Sequence, residues 1–139
     1  MSKLILSVIL ALLPTVAFSV QDISIFKLIV EPEKYENKTV RVKGYLDITV
    51  DTALFVNKGF AMMNDISSSI AVNDTSQNAD MTVNCYEKNV SIVGKIRRSG
   101  EYFKIDSIQR VLELSQNEYC WEKTVTNAVV QSKHSLGDG

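Results

Sequence analysis

Apolar and polar residues alternate in two stretches of the chain, and both stretches follow the same pattern. The two copies read Val40-x-Val42-x-Gly44-x-Leu46 and Val90-x-Ile92-x-Gly94-x-Ile96. Such alternation is typical of a β-strand with one buried face and one exposed face. In each copy a glycine stands where an inward side chain is due, which indicates a bend, a bulge or a close approach of another backbone. The pattern therefore predicts two strongly bent strands.

A short helix and three further strands are predicted around the two copies. Apolar residues recur at helical spacing in residues 22–31, and Pro32 disfavours helical structure at the residue before it, so the helix should end there. Pro32 can open one more turn through Tyr35, and Asn37 can take the positive φ of a tight turn. The five predicted strands are residues 39–48, 53–57, 69–72, 89–97 and 102–114.

The segments between the strands are rich in turn-forming residues. A turn is predicted at residues 57–59, a loop at residues 73–80 and a hairpin turn at Ser99–Gly100. Residues 81–87 fit either a short helix or the end of a strand. The last strand is expected to be irregular near residues 107–110.

This order of elements predicts a mainly β chain. Five short strands, two of them bent at glycines, suit a five-stranded Greek-key barrel, the OB-fold, with a short N-terminal helix. The strands that share the pattern are the first and the fourth, and these two strands pair with each other in such a barrel. The repeat then need not come from a duplication, because two paired strands that bend together can both require a glycine at the bend.

The helix and the entry to the first strand also resemble a known family. The segment reads Leu28-Ile29-x-x-Pro32-Glu33-Lys34-Tyr35-x-Asn37-Lys38-x-Val40-x-Val42-x-Gly44-Tyr45-Leu46. It resembles the opening of small exported bacterial OB-fold proteins of unknown function and, more loosely, of nucleic-acid-binding or anticodon-binding-like OB-folds. The resemblance is good over residues 24–48 and fair over residues 88–114. It implies the fold and transfers no functional residue.

The first 19 residues have the features of a secretory signal. Lys3 supplies a positive charge, residues 4–13 are almost continuously apolar, and Ala17 and Ser19 place small residues at the −3 and −1 positions of a cleavage site. The alternative is a membrane anchor, which needs about 20 apolar residues, whereas Pro14 interrupts this run. We therefore expect an exported chain, either periplasmic or secreted.

The rest of the chain suits one domain followed by a short tail. One barrel domain with a modest hydrophobic core is predicted over residues 20–123, and a flexible tail over residues 124–139. Without Lys3 the count of 15 basic residues falls to 14, against 16 acidic residues. No strong global field for or against nucleic acid is therefore expected.

Cys85 and Cys120 are the only cysteines of the chain. In an oxidising compartment an even number of cysteines in a small domain favours a disulfide. The alternatives are a redox pair, which usually has Cys-x-x-Cys spacing, and a metal site, which needs further ligands nearby. A structural disulfide is the prediction.

Residues that could carry catalysis are few and scattered. His134 is the only histidine and falls in the predicted tail, so a histidine-based acid–base or triad mechanism has no anchored base. The sequence contains no phosphate-cradling glycine loop and no metal-ligand cluster, and its loop aspartates match no calcium-binding spacing. We therefore predict a non-catalytic binding module without a cofactor or metal.

Basic residues concentrate in the predicted barrel strands and form the candidate ligand-binding surface. Arg41, Lys43 and Tyr45 share the outward face of the first strand, and Lys95 and Arg97 share that of the fourth. This set is called the basic stripe below. It predicts binding of an oligonucleotide or another polyanion. The alternative is that alternating strands expose charged side chains by default.

The usual ligand surface of an OB-fold corresponds here to residues 54–57 and 61–72, which contain almost no Lys or Arg. This disfavours nucleic acid, so a protein partner or an envelope component is the leading prediction and a polyanion is the alternative. No membrane span is expected after signal cleavage. One apolar cluster in this region is either core or a partner-binding patch: Phe55, Phe60, Met62 and Met63.

Overall fold

The computed structural model describes residues 19–73 and 79–124. Almost all of the predicted secretory signal and of the predicted tail, with His134, lies outside the described residues, as does the middle of the predicted loop at residues 73–80. The strands are β1 Gln21–Ile23, β2 Thr39–Ile48, β3 Thr52–Phe55, β4 Ser69–Val72, β5 Lys88–Ser99, β6 Tyr102–Glu113 and β7 Glu118–Glu122. The helices are α1 Ile25–Val30, α2 Lys58–Met62 and α3 Ala79–Cys85, with 3₁₀ turns at Pro32–Tyr35 and Ile66–Ser68.

The chain is mainly β, and five of its strands form a closed sheet in the order β2-β3-β4-β6-β5 and back to β2. The ladder between β4 and β6 is parallel, and the other four ladders of the ring are antiparallel. β1 extends the sheet as a parallel neighbour of β2, and β7 is an antiparallel neighbour of β6. The predicted pairing of the first and fourth barrel strands is confirmed by the antiparallel ladder of β2 and β5.

The two copies of the alternating pattern face each other in that ladder. Val42 lies opposite Ile92, and each glycine lies opposite the first valine of the other copy, Gly44 against Val90 and Gly94 against Val40. The apolar residues of both copies point into the closed sheet, where Val40, Val42, Val90 and Ile92 are fully buried. Burial of a side chain of this size contributes roughly 1.5–3 kcal/mol to the free energy of folding.

The N-terminal segment differs from the predicted helix over residues 22–31. β1 pairs in parallel with β2 and places Ile23 opposite Val42 at the edge of the core, so the helix begins only at Ile25. Pairing with β2 satisfies the backbone groups of β1, and this tertiary contact overrides the helical spacing of the local sequence. The predicted turns that follow are confirmed, with a 3₁₀ turn at Pro32–Tyr35 and a φ of 63° at Asn37.

Two connections also differ from their predictions. β3 ends at Phe55 instead of residue 57, and the predicted turn at residues 57–59 is the start of α2, because Asn57 Oδ1 accepts a hydrogen bond from Phe60 N at 3.2 Å and caps the helix. Of the two alternatives for residues 81–87, the helix is found, and α3 begins at Ala79 within the predicted loop.

The sequence did not predict β7, which pairs with β6 and carries one half of the disulfide. The disulfide between Cys85 and Cys120 is confirmed, with a Cα–Cα distance of 5.5 Å. It joins α3 to β7, and Trp121 packs against the core beside it. The predicted irregularity near residues 107–110 is confirmed by a register shift in the β5–β6 ladder and by a φ of 47° at Ser107.

Candidate functional site

The basic stripe forms one line on the outer surface of the β2–β5 ladder. Arg41, Lys43 and Tyr45 alternate with buried residues of β2, and Lys95 and Arg97 do the same on β5. The structure therefore brings all five predicted residues to one face of the sheet. It does not leave all of them accessible, and acids lie near Arg41 and near the Lys95–Arg97 end.

Tyr45 is buried, contrary to the exposure that a ligand-binding residue in the stripe needs. Its side chain is only 5% exposed and packs with Ala53, Phe55 and Ala61 in a small cluster beneath α2. Burial raises the pKa of its hydroxyl above the ordinary value, and the negative charges of nearby carboxylates add to this effect. Tyr45 therefore belongs to the hydrophobic packing of α2 on the sheet.

The apolar cluster predicted as core or as a patch contains both kinds of residue. Phe55 is fully buried, and Phe60 packs partly buried against the cluster around Tyr45. Met62 and Met63, at the end of α2, are 77% and 69% exposed. The aromatic half is core, and the methionine half is surface.

Arg41 belongs to a row of residues that spans five strands. The row reads Asp22, Arg41, Val93, Arg110 and Glu122 across β1, β2, β5, β6 and β7. Arg41 Nη1 lies 3.1 Å from Asp22 Oδ1, and Val93 in the middle is only 2% exposed. The acids at both ends of the row offset the two arginines, so this part of the outer face attracts anions only weakly.

Arg110 is a basic residue of this face that the sequence analysis missed. The three residues Ser107–Gln109 lie opposite Gly94 alone, and Arg110, four residues after Asp106, lies on the same outward face beside Val93. Its guanidinium lies 5.9 Å from the centre of the Tyr119 ring. Because Arg110 keeps the parity of Lys104 and Asp106, the alternation along the fifth predicted strand was the signal that could have identified it.

Lys95 and Arg97 lie beside the carboxylate of Asp106. Lys95 is directly opposite Asp106, and Arg97 is directly opposite Lys104. Arg97 Nη1 also donates a hydrogen bond to Asn37 Oδ1 at 3.3 Å. This end of the stripe is thus a group of three cations around one anion.

Asp106 is held in its charged form by hydrogen bonds. Partial burial disfavours the carboxylate, but Asn73 Nδ2 donates to Asp106 Oδ1 at 2.7 Å and Ser107 N donates to the same oxygen at 2.6 Å. These bonds, with the charges of Lys104 and Arg97, outweigh burial and hold the pKa of Asp106 below its usual range. Its Oδ1 atom is already occupied by two donors.

A second candidate site is a cleft of about 840 Å³ beside β4. It is lined by the end of α1, the β2–β3 loop, the connection that follows α2, β4 and the first residues of β6. The sequence analysis identified the region of β3 and β4 as a possible ligand surface but did not predict a cleft. Its walls come from five parts of the chain, and only the closed sheet brings them together.

The cleft opens where β4 and β6 are joined by only a few contacts. Their ladder consists of Ala71 opposite Lys104 and Val72 opposite Ile105, followed by a hydrogen bond from Asn73 N to Ile105 O at 2.8 Å. Within the described residues, the part of β4 before Ala71 pairs only with β3. The part of β6 before Lys104 pairs only with β5. The short ladder therefore leaves room between the start of β4 and the start of β6.

Two small residues, Ala53 and Ala71, line the cleft together with longer apolar side chains, and the two alanines are called its floor below. A second row crosses five strands and reads Asp47, Ala53, Ala71, Lys104 and Arg97 on β2, β3, β4, β6 and β5. The two alanines in its middle occupy little space above the sheet. On β3 and β4 the row presents small apolar side chains, and on β6 and β5 it presents basic ones.

Four exposed apolar residues line the cleft. Val50 in the β2–β3 loop is 86% exposed, Ile66 is 71% exposed, Tyr102 is 56% exposed and Ile48 at the end of β2 is 45% exposed. The Ser99 hydroxyl donates to the Tyr102 hydroxyl at 3.2 Å and orients that ring within the hairpin. Among the described lining residues only Asp51 and Lys104 carry a charge. The cleft is therefore suited to an apolar ligand surface with few charges.

The described part of the chain offers no preformed metal site. Across residues 19–73 and 79–124, no three His, Cys, Asp or Glu side chains lie close enough together to hold a metal ion. Over the same residues, none of the helices combines the length and the hydrophobicity that crossing a membrane requires.

Comparison with known proteins adds no functional assignment. No family model, no curated protein and no solved structure matches the chain. The geometry of the described residues is therefore the basis for the function proposed below.

Proposed function

We propose that the chain is an exported, non-catalytic OB-fold module that binds a segment of a protein partner or an envelope component in the cleft beside β4. The observation that carries the proposal is the combination of an alanine floor with the exposed side chains of Val50, Ile66 and Tyr102. Apolar side chains exposed around a concave surface are characteristic of binding sites.

The arrangement of strands supports the OB-fold. In a five-stranded Greek-key barrel the first strand pairs with the second and the fourth, and the third pairs with the fifth. β2, β3, β4, β5 and β6 have this order, with α3 between β4 and β5. The ligand face of OB-folds is formed by the second and third strands and by loops that include the first hairpin loop and the last one. These elements correspond to β3, β4, the β2–β3 loop and the β5–β6 hairpin, which border the cleft.

The disulfide supports export. A disulfide between Cys85 and Cys120 is compatible with an oxidising compartment such as the periplasm or the extracellular space. The expected secretory signal at residues 1–19 agrees with this location.

The chemistry of the cleft favours a protein segment over a nucleic acid. Binding of single-stranded nucleic acid needs a basic groove along the backbone as well as stacking platforms. The cleft has one aromatic ring exposed on its wall, Tyr102, and one lining cation, Lys104. An apolar peptide segment would cover Val50 and Ile66 without a high cost of desolvating charges.

A photocrosslinking experiment tests the proposal. p-Benzoylphenylalanine replaces Tyr102 in the cleft or, as a matched control, Tyr86, which follows α3 outside the cleft and is 45% exposed. We expect a discrete crosslinked protein from the Tyr102 position in the native envelope fraction and none from the Tyr86 position. Ala71→Trp, which fills the floor, should abolish the adduct. The same adducts from both positions, or none from Tyr102, would contradict the proposal.

The second candidate function is binding of an oligonucleotide or another polyanion through the basic stripe. The grouping of Lys95, Arg97 and Lys104 around the single carboxylate of Asp106 favours it. A fluorescent single-stranded oligonucleotide distinguishes the two functions, because phosphate contacts weaken steeply as the salt concentration rises. Salt-sensitive binding that is lost in a Lys95→Glu, Arg97→Glu double variant would favour the stripe, and no binding at low salt would eliminate it.

A further inference from the structure

Lys104 and Arg97 form a pair of like charges at directly opposite positions of two neighbouring strands. They lie opposite each other on the outer face of the β5–β6 ladder. Like charges at directly opposite positions destabilise an antiparallel ladder. Neither cation lies within ion-pair distance of an acid among the described residues. The fold therefore retains an unfavourable pair, of which Lys104 lines the cleft and Arg97 lies one strand beyond it.

The nearest acid only partly compensates for this pair. Asp106 lies two residues after Lys104 on β6 and interacts with both cations over a longer distance. Its Oδ1 already accepts hydrogen bonds from Asn73 and from the backbone of Ser107. Among the described residues, Lys95, Arg97 and Lys104 thus surround one carboxylate, whose Oδ1 is already occupied, and this excess of positive charge can accept a second anion.

The position of the pair relates it to the cleft. Lys104 lines the cleft and lies next to Ala71 in the row that forms the floor. The other charged lining residue, Asp51, belongs to the β2–β3 loop, on the far side of β3 and β4. Neighbouring strands are about 4.8 Å apart, so Ala53 and the Lys104 position are separated by roughly 10 Å across the floor. The cleft therefore has an acidic side, an apolar middle and a basic side.

We propose that the cleft selects an extended peptide segment with an acidic residue at the end that reaches β6, and that Lys104 and Arg97 bind its carboxylate. This inference rests on the proposed function and names the chemistry of the partner. The apolar side chains of the segment cover Val50, Ala71 and Tyr102, and the carboxylate offsets the repulsion between the two cations. The apolar contacts and the compensation of the two positive charges form only in the complex, so they provide selectivity as well as affinity.

A random dodecapeptide library displayed on phage tests the inference with the full, disulfide-bonded chain. We expect enriched sequences that combine apolar residues with Asp or Glu. Affinity of the corresponding synthetic peptide, measured by fluorescence anisotropy, should fall at least about tenfold in Lys104→Gln and recover in Lys104→Arg. Lys123→Gln removes an exposed lysine outside the cleft and is the matched control. Circular dichroism should show that all three variants remain folded.

The outcomes separate the inference from the proposed function. Enrichment of apolar peptides without acids, with equal affinity for wild type and Lys104→Gln, would overturn the inference and leave the binding function intact. Absence of any enriched peptide would overturn both. Salt-sensitive binding of a single-stranded oligonucleotide that depends on Lys104 would replace the peptide by a polyanion and overturn the inference as well.

Discussion

The carbonyl oxygen of Phe55 lies 2.6 Å from the point that a β-carbon on Gly44 would occupy. Leu54 Cγ is 2.8 Å from the same point, so β3 passes closer to β2 than any residue with a side chain allows. At Gly94 the corresponding neighbours are Ile105 Cγ2 at 2.7 Å and the Asp106 carbonyl oxygen at 3.0 Å. The two glycines of the repeated pattern thus make room for different strands, Gly44 for β3 and Gly94 for β6.

Replacement of either glycine by alanine should destabilise the protein. The added methyl group would meet backbone atoms of a neighbouring strand, which cannot move away without disturbing the ladder. We expect a loss of about 1–3 kcal/mol in the free energy of unfolding for Gly44→Ala and for Gly94→Ala, and a larger loss for valine. Urea denaturation followed by circular dichroism measures both.

A third glycine provides the control for this prediction. Gly100 has a φ of 63°, and no atom lies within 4 Å of the β-carbon position. Gly100→Asn should therefore change stability little, because asparagine tolerates the left-handed region and meets no neighbour. Wild-type stability of Gly44→Ala would show that β3 does not approach β2 as closely as described.

Removal of the disulfide should destabilise the fold without changing its topology. Cys85 and Cys120 close a loop with a sequence separation of 35 residues. The chain-entropy model assigns such a loop about 3–4 kcal/mol. The Cys85→Ser, Cys120→Ser double variant should lose an amount of this order, and a reducing agent should lower wild-type stability to the same level in urea titrations. A reducing agent that leaves wild type unchanged would contradict a structural role.

Asp106→Asn should make stability less dependent on acid pH. The folded-state pKa of Asp106 lies below its usual range, so its stabilising contribution is complete above the ordinary pKa of about 3.9 and is lost as the pH falls through the folded-state pKa. At pH 7 we expect Asp106→Asn to be about 1 kcal/mol less stable than wild type. The difference should shrink as the pH approaches 3.

The control for Asp106 is an exposed acid elsewhere. Glu101 lies in the β5–β6 hairpin and is exposed, so Glu101→Gln removes one carboxylate without removing a described hydrogen bond. Thermal denaturation between pH 3 and pH 7 should follow the wild-type profile for this variant. A pH profile of Asp106→Asn that runs parallel to that of wild type would show that the hydrogen bonds of Asn73 and Ser107 do not favour the charged carboxylate.

Substitutions at Tyr45 should distinguish a packing role from a ligand-binding role. Because the ring is buried beneath α2, Tyr45→Ala should cost about 3–5 kcal/mol of stability, whereas Tyr45→Phe keeps the ring. Lys43→Ala, two residues away on the exposed face, should stay within about 0.5 kcal/mol of wild type. A Tyr45→Ala variant as stable as wild type would place the ring outside the core.

The alternation of apolar residues determined the two central strands almost completely. Predicted bounds of residues 39–48 coincide with those of β2, and the predicted pairing with the later copy is found. Such agreement is expected where both copies bury a whole face, because a shift by one residue would turn every apolar side chain outward. The pairing of Cys85 and Cys120 was equally determined, since the chain contains no other cysteine.

The shortest strands form only through contacts with residues that are distant in the sequence. β1 and β7 each have five residues or fewer and become strands only because β2 and β6 offer them free edges. Local spacing cannot report such an edge, and for this reason the N-terminal segment was predicted to be helical throughout. Tyr45 follows the alternation correctly, yet α2 covers it, and the outward face of a strand is exposed only where no other element packs on it.

The sequence alone therefore determined which residues face the core, because burial imposes a period of two on a strand wherever it occurs. Tertiary structure decided which outward residues are accessible and which of them meet. Arg97 and Lys104 are neighbours only through the register of β5 and β6, and Ala71 joins them only through the short parallel ladder with β4. Both registers follow from the closure of the sheet, which depends on all five strands at once.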